Sequence, residues 1–123
     1  MNLQEYFEKT EGTGVLATAD SSGNVDLAIY ARPHVIDEET VAFIMNERLS
    51  YQNVSSNPKA AYLFLEETAG YKGKRLYLTK IKEETDREVI DSMRRKTEKY
   101  QEGDSKKYLV YFRVERIRAL IGE

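Results

Sequence analysis

The sequence predicts a mainly β domain with some helix (α+β): about six short antiparallel strands, closed or nearly closed into a small barrel, with short helices flanking its open ends. Three observations carry this. Apolar and polar residues alternate through much of the chain, as in "KYLVYFRVERIRALI" at 107–121. Turn-forming clusters separate these runs, as in "SSGN" at 21–24 and "DEET" at 37–40. No repeat, low-complexity tract or linker divides the 123 residues, so one domain spans 1–123.

The elements follow in order. Leu3, Tyr6 and Phe7 stand at helical spacing, so residues 2–10 form a short amphipathic helix that Gly12 and Gly14 end. "VLATAD" is the first strand. "VDLAIYARPHVI" at 25–36 reads as one long second strand, with Pro33 at an edge or a bulge because it cannot donate to a ladder. "VAFIM" is the third strand, a short helix covers 50–56, and "AAYLFLEE" is the fourth strand. The glycine-punctuated loop "TAGYKG" at 68–73 leads into a fifth strand, "KRLYLTKIKEE". Then the period changes. Thr85 and Glu88 stand at capping-box spacing, followed by Val89, Ile90 and Met93 on one helical face. "RRKTEKY" at 94–100 continues that helix as a solvated face and "QEGDS" breaks it. The run at 107–121 is one long strand or two joined by a bend.

Composition excludes several chemistries. With 19 Lys and Arg against 21 Asp and Glu, the net charge of −2 disfavours a general phosphate-backbone binder, so no nucleic acid is expected. The absence of cysteine rules out disulfides, iron–sulfur clusters and thiolate zinc sites. A single histidine, His34, argues against a histidine-built metal site or a Ser-His-Asp triad. The start "MNLQEYFEKT" does not read as a signal peptide, and no run has membrane-spanning length, so a cytoplasmic protein is expected. A domain this small leaves apolar surface uncovered, which favours a dimer.

The chemistry concentrates in "NERLSYQNVSSNP" at 46–58. A plain hairpin needs only a few residues between two strands, and here a helix intervenes. The first amides of a helix lack internal partners and form a seat for an anion. Ser50 caps that end or donates a hydroxyl, and Arg48 offers a planar cationic fork suited to phosphate. Asn46 and Asn53 add amide groups, and Asn57-Pro58 closes the helix. Spacing alone leaves the plainer alternatives open: Ser50 as an ordinary cap, Arg48 as a surface charge. "GYKGKR" at 70–75 is a second candidate phosphate nest, or a basic loop tip. The cations Arg94, Arg95, Lys96 and Lys99 read as a solvated face. Tyr108 and Tyr111 read as core and packing residues, not platforms for stacked bases.

The order of these pieces resembles the FMN-binding split barrel of the pyridoxamine 5′-phosphate oxidase-like family, over roughly residues 5–121. The motif "VAFIMNERLSYQNVSSNPKAAYLF" carries most of the resemblance, through Ser50, Asn53-Val54, Asn57-Pro58 and "AAYLF"; "GVLATADSSGNVDLAIYARP" resembles the first hairpin. The resemblance implies FMN bound between the subunits of a homodimer. Arg48 and Ser50 would hold the phosphate, aided by the helix start, and Met45 and Asn46 would lie along the flavin, with Leu49 and Asn53 also among the cofactor-binding residues. Ile29, Tyr30 and Ala31 would run beside the ring, and Arg75, supplemented by Lys72 and Lys74, would reach it from the partner. The chain departs from the larger oxidases: Ala28 stands near an expected arginine, Ser50 replaces a lysine, and the chain stops at Glu123 without the segment that completes the substrate site. The activity implied is hydride or electron transfer on an unidentified small substrate, by an FMN-dependent oxidoreductase that is not a true pyridoxamine 5′-phosphate oxidase. No residue stands out as its acid or base, although His34, Tyr30 and Tyr71 are within the range of choices. The rivals are a flavin-binding electron carrier without catalysis, a barrel that takes haem or a deazaflavin, and a single-strand nucleic-acid barrel.

Overall fold

The computed structural model describes residues 2–93 and 106–122. The strands are β1 (Gly12–Ala19), β2 (Val25–Ile29), β3 (His34–Val35), β4 (Thr40–Asn46), β5 (Lys59–Glu66), β6 (Gly73–Glu84) and β7 (Lys107–Ala119). The helices are α1 (Leu3–Lys9), α2 (Leu49–Ser56) and α3 (Arg87–Met93). The expected continuation of the third helix over 94–100, its cations and the break at 101–105 lie outside the described residues.

All seven strands join one antiparallel sheet in the order β2-β1-β5-β6-β7-β4-β3. The expectation of six strands in a closed barrel is therefore corrected: the sheet has one strand more and stays open. The reason is the run at 25–36, which is two strands, β2 on one edge of the sheet and β3 on the other. Laid flat, a sheet of seven strands would be about 29 Å wide at ~4.8 Å per strand. Between Ile29 and His34 the chain reaches no more than about 18 Å. The sheet has to curl until its edges approach each other.

Named contacts hold the crossing at 30–33. The buried Tyr62 hydroxyl donates to the carbonyls of Tyr30 (3.0 Å) and Ala31 (3.1 Å). Arg32 donates to the carbonyls of Phe7 (2.7 Å) and Thr10 (3.3 Å), satisfying acceptors that the end of α1 leaves over. Pro33 falls in the break, where no ladder bond is required of it. Gly14 explains the close approach: a Cβ there would lie 1.8 Å from the Tyr62 hydroxyl oxygen and 2.5 Å from the Tyr30 carbonyl. Gly12 and Gly14 thus belong to β1 and do not terminate α1, which ends at Lys9.

Two helices occupy the gap that the ladder does not close. α1 begins at Asn2, whose side chain accepts the Glu5 amide, and buries Leu3 and Phe7. Phe7 meets Phe64 edge-on at 5.3 Å, a favoured aromatic geometry. α2 packs on β1, β2 and β4. Its anchor is a buried polar pair, Asn53 Nδ2 donating to Thr18 Oγ1 at 3.0 Å. The interior between them holds Leu16, Phe43, Met45, Tyr62, Phe64, Leu76, Val110 and Phe112. On the opposite face of β4 and β7, Ala42 and Leu109 are sealed by Ile90 of α3. Asp86, and not Thr85, accepts a first-turn amide of α3, from Glu88.

The outer face of β2, β1, β5 and β6 is uncovered. Register places Ile29, Val15, Leu63 and Arg75 in one row and Leu27, Ala17, Ala61 and Tyr77 in the next. Val25, Leu27 and Ile29 are 74, 68 and 72% exposed, which is unusual for three alternate apolar residues of one strand.

Candidate cofactor site

β4 runs out at Asn46, and Arg48 takes an extended conformation as the N-cap of α2. The Arg48 side chain makes no cap bond, so the amides of the first turn of α2 are not capped by it. The start of α2 borders a cavity of about 350 Å³ lined by Asp26, Ala28, Ile29, Tyr30, Ile44, Asn46, Arg48, Leu49 and Ser50. That volume lies within the range of small-molecule sites. The cavity sits at the slit in the barrel, between edge strand β2 and the end of β4, with α2 as its floor.

Its electrostatics are mixed. Burial pushes the Tyr30 hydroxyl up, while a hydrogen bond with Ser50 and the nearby Arg48 charge pull it back; Asp26 adds to the rise. Tyr30 therefore stays neutral at physiological pH. Ser50 is buried, whereas Arg48 is exposed and reaches solvent. Asn46 is held by Lys107, whose Nζ lies 2.6 Å from Asn46 Oδ1. Beside the cavity, Tyr51 stacks on Tyr108 at 3.8 Å and donates to Glu83 at 2.7 Å. Burial and that bond push the Tyr51 hydroxyl up to about 12. Tyr108 is buried in the main core and Tyr111 packs against the smaller one, so their faces are spent on packing.

Of the residues singled out in the sequence, the fold brings Ile29, Tyr30, Asn46, Arg48, Leu49 and Ser50 to this one cavity. Ala31 lies just past it, its carbonyl taken by Tyr62. The Met45 side chain is fully buried in the core, and Asn53 is buried against Thr18. Lys72 is exposed in the loop before β6. Arg75 lies on the outer apolar face and donates to the carbonyls of Ala119 (2.8 Å) and Gly122. Three strand spacings, about 14 Å, separate β6 from β2 in the same sheet. Sequence reasoning missed Asp26 and Ile44, and marked Ala28 only as the place of an expected arginine. Strand alternation was the available signal, since Asp26 and Ala28 share a face with Tyr30, and Ile44 shares one with Asn46.

No family model matches the sequence, and no curated protein matches it. Solved structures do. An FMN-binding protein from Syntrophomonas wolfei superposes with a TM-score of 0.81 at 17% identity, over 99% of this chain and 86% of that one. A candidate pyridoxamine 5′-phosphate oxidase from Lactobacillus delbrueckii gives 0.71 at 18% identity, over 96% and 92%. The fold is that of the pyridoxamine 5′-phosphate oxidase-like split barrels. The haem storage protein HutZ of Vibrio cholerae gives 0.63 at 15% identity, over 96% and 94%. The open slit between β2 and β4 is thus the split of a split barrel. Among the described residues, no helix is long and apolar enough to cross a membrane, and no cluster of His, Asp and Glu could hold a metal ion.

Proposed function

We propose that this protein is an FMN-binding flavoprotein, a homodimer that carries out hydride or electron transfer on a small substrate. The observation that carries the reading is the slit cavity itself. It combines an exposed guanidinium, the uncapped first turn of an eight-residue helix and the outer edge of β2. These groups suit a ligand with an anionic tail and a flat polar-edged ring. Arg48 and the amides around Ser50 bind the phosphate. Backbone groups of Ile29, on the outer edge of β2, meet the ring edge, while the Tyr30 amide and carbonyl are held by Gly14 and Tyr62. Met45 contributes only backbone, and Asn53 holds α2 in place. Bound FMN supplies the hydride or electron chemistry; the protein supplies position and electrostatics.

The exposed outer face supports the second copy. Burying Val25, Leu27 and Ile29 would stabilise a dimer by about 1.5–2 kcal/mol each. Arg75 lies on that same face, so a two-fold pairing is the route by which it and Lys72 reach a flavin. The test is the absorption spectrum of protein purified without added cofactor. A flavin spectrum, with FMN released on denaturation, is the expected result. A colourless protein that takes up no added FMN overturns the reading. A Soret band would favour haem, the reading that the likeness to HutZ supports. Turnover with reduced nicotinamides separates an enzyme from a carrier.

A further inference from the structure

We infer that Lys107 is a positioning residue of this site: its ammonium orients the Asn46 amide so that Asn46 offers N–H donors to a hydrogen-bond acceptor on the bound flavin. The inference rests on the FMN reading above and adds to it a residue 61 positions away in the chain.

Asn46 and Lys107 stand directly opposite each other at the end of the β4–β7 ladder. The ammonium donates to Asn46 Oδ1 at 2.6 Å. An ammonium has only donors to offer, and only the oxygen end of the amide accepts. The contact therefore fixes which way the amide points: oxygen toward Lys107, nitrogen away from it. Asn46 lines the slit cavity, so Nδ2 is the end it presents there. Without Lys107 the amide could turn either end to a ligand, and half of its orientations would set oxygen against an acceptor.

Burial strengthens the argument. Lys107 is 9% exposed, and the next residue on its face of β7, Leu109, is fully buried. An apolar residue would suit this neighbourhood, and a buried ammonium is costly unless its donors are bonded. A charge kept here also lies one amide away from the cavity. Reduction adds negative charge to a flavin, so a nearby cation favours the reduced form and raises the midpoint potential.

The experiment compares wild type, Lys107→Met, Lys107→Arg, Asn46→Asp, Asn46→Ala and the double variant Asn46→Ala with Lys107→Met. Far-UV circular dichroism and Tm report folding, quenching of flavin fluorescence reports FMN affinity, and a dye-coupled titration reports the midpoint potential. The expected result is a five- to tenfold weaker affinity and a lower potential for Lys107→Met. Lys107→Arg restores much of both. Asn46→Asp pairs with Lys107 yet loses the donor, so its affinity falls even where its fold is intact. Combining Asn46→Ala with Lys107→Met costs no more affinity than Asn46→Ala alone. Wild type that binds FMN alongside a Lys107→Met protein of equal affinity and potential overturns this inference and leaves the FMN reading standing. Additive losses in the double variant also overturn it. Wild type that binds no FMN overturns both.

Discussion

Arg48→Ala separates binding from folding more cleanly than any other substitution in the slit. Arg48 is exposed, and its side chain makes no cap bond to α2. Its removal should therefore change folding stability by no more than about 0.5 kcal/mol, the usual range for such surface positions. The same side chain supplies the one guanidinium among the residues lining the cavity. A charged hydrogen-bonding contact to phosphate contributes about 1.5–3 kcal/mol, which is roughly a 10- to 150-fold rise in Kd for FMN. Fluorescence titration of apoprotein at two salt concentrations measures it. Because the site is open to solvent, the wild-type affinity should weaken with salt more steeply than that of the variant. Arg48→Lys keeps the charge and loses the fork, so it should fall between the two. Equal Kd values for Arg48→Ala and a wild type that binds FMN would refute the reasoning and move the phosphate elsewhere.

Other consequences are open to measurement. Gly14→Ala forces a methyl against the Tyr62 hydroxyl and the Tyr30 carbonyl, so thermal unfolding should show a loss of about 3 kcal/mol or more. Tyr62→Phe removes the donor that ties down 30–31 and should cost about 1–3 kcal/mol in urea unfolding, with faster amide exchange at those residues. Leu27→Asp places a charge in the outer apolar face; sedimentation should show monomer with an unchanged circular dichroism spectrum, and persistent dimer would put the two-fold seam elsewhere. Bonds from Asn24 and the turn amides hold the Asp20 carboxyl below its usual range. Its contribution is therefore present above pH 4 or so and lost as pH falls through the lower folded value. Asp20→Asn should flatten that part of the acid stability profile.

Local signals marked much of this fold, and the misreadings share one physical cause. The Leu3, Tyr6 and Phe7 spacing located α1, and the strand–helix–strand order around 40–66 matched β4, α2 and β5. The run at 25–36 keeps its alternation through the break, so nothing local says that its halves belong to opposite edges of a sheet. Gly12 and Gly14 read as a helix stop because a lone sequence does not show Tyr62 arriving against β1 from 48 residues downstream. The site divides in the same way. Arg48, Leu49 and Ser50 are neighbours in sequence and were legible as a helix start. The pairing of Asn46 with Lys107 is a product of strand register and left no trace in spacing.

The strand order also governs when the molecule can assemble. β1, β2, β5 and β6 are contiguous in the sheet and can pair among themselves as soon as residue 84 has been made. β4 has only the two-residue β3 to pair with at that stage: its long ladder is with β7, which the ribosome delivers some sixty residues later. Until then the apolar "VAFIM" segment is paired along one side only, and there only by the two residues of β3. Such long-range closure slows folding and leaves a sticky strand waiting. The ligand crevice is thus the last part of the molecule to exist, and any flavin it holds would be bound only by a finished chain.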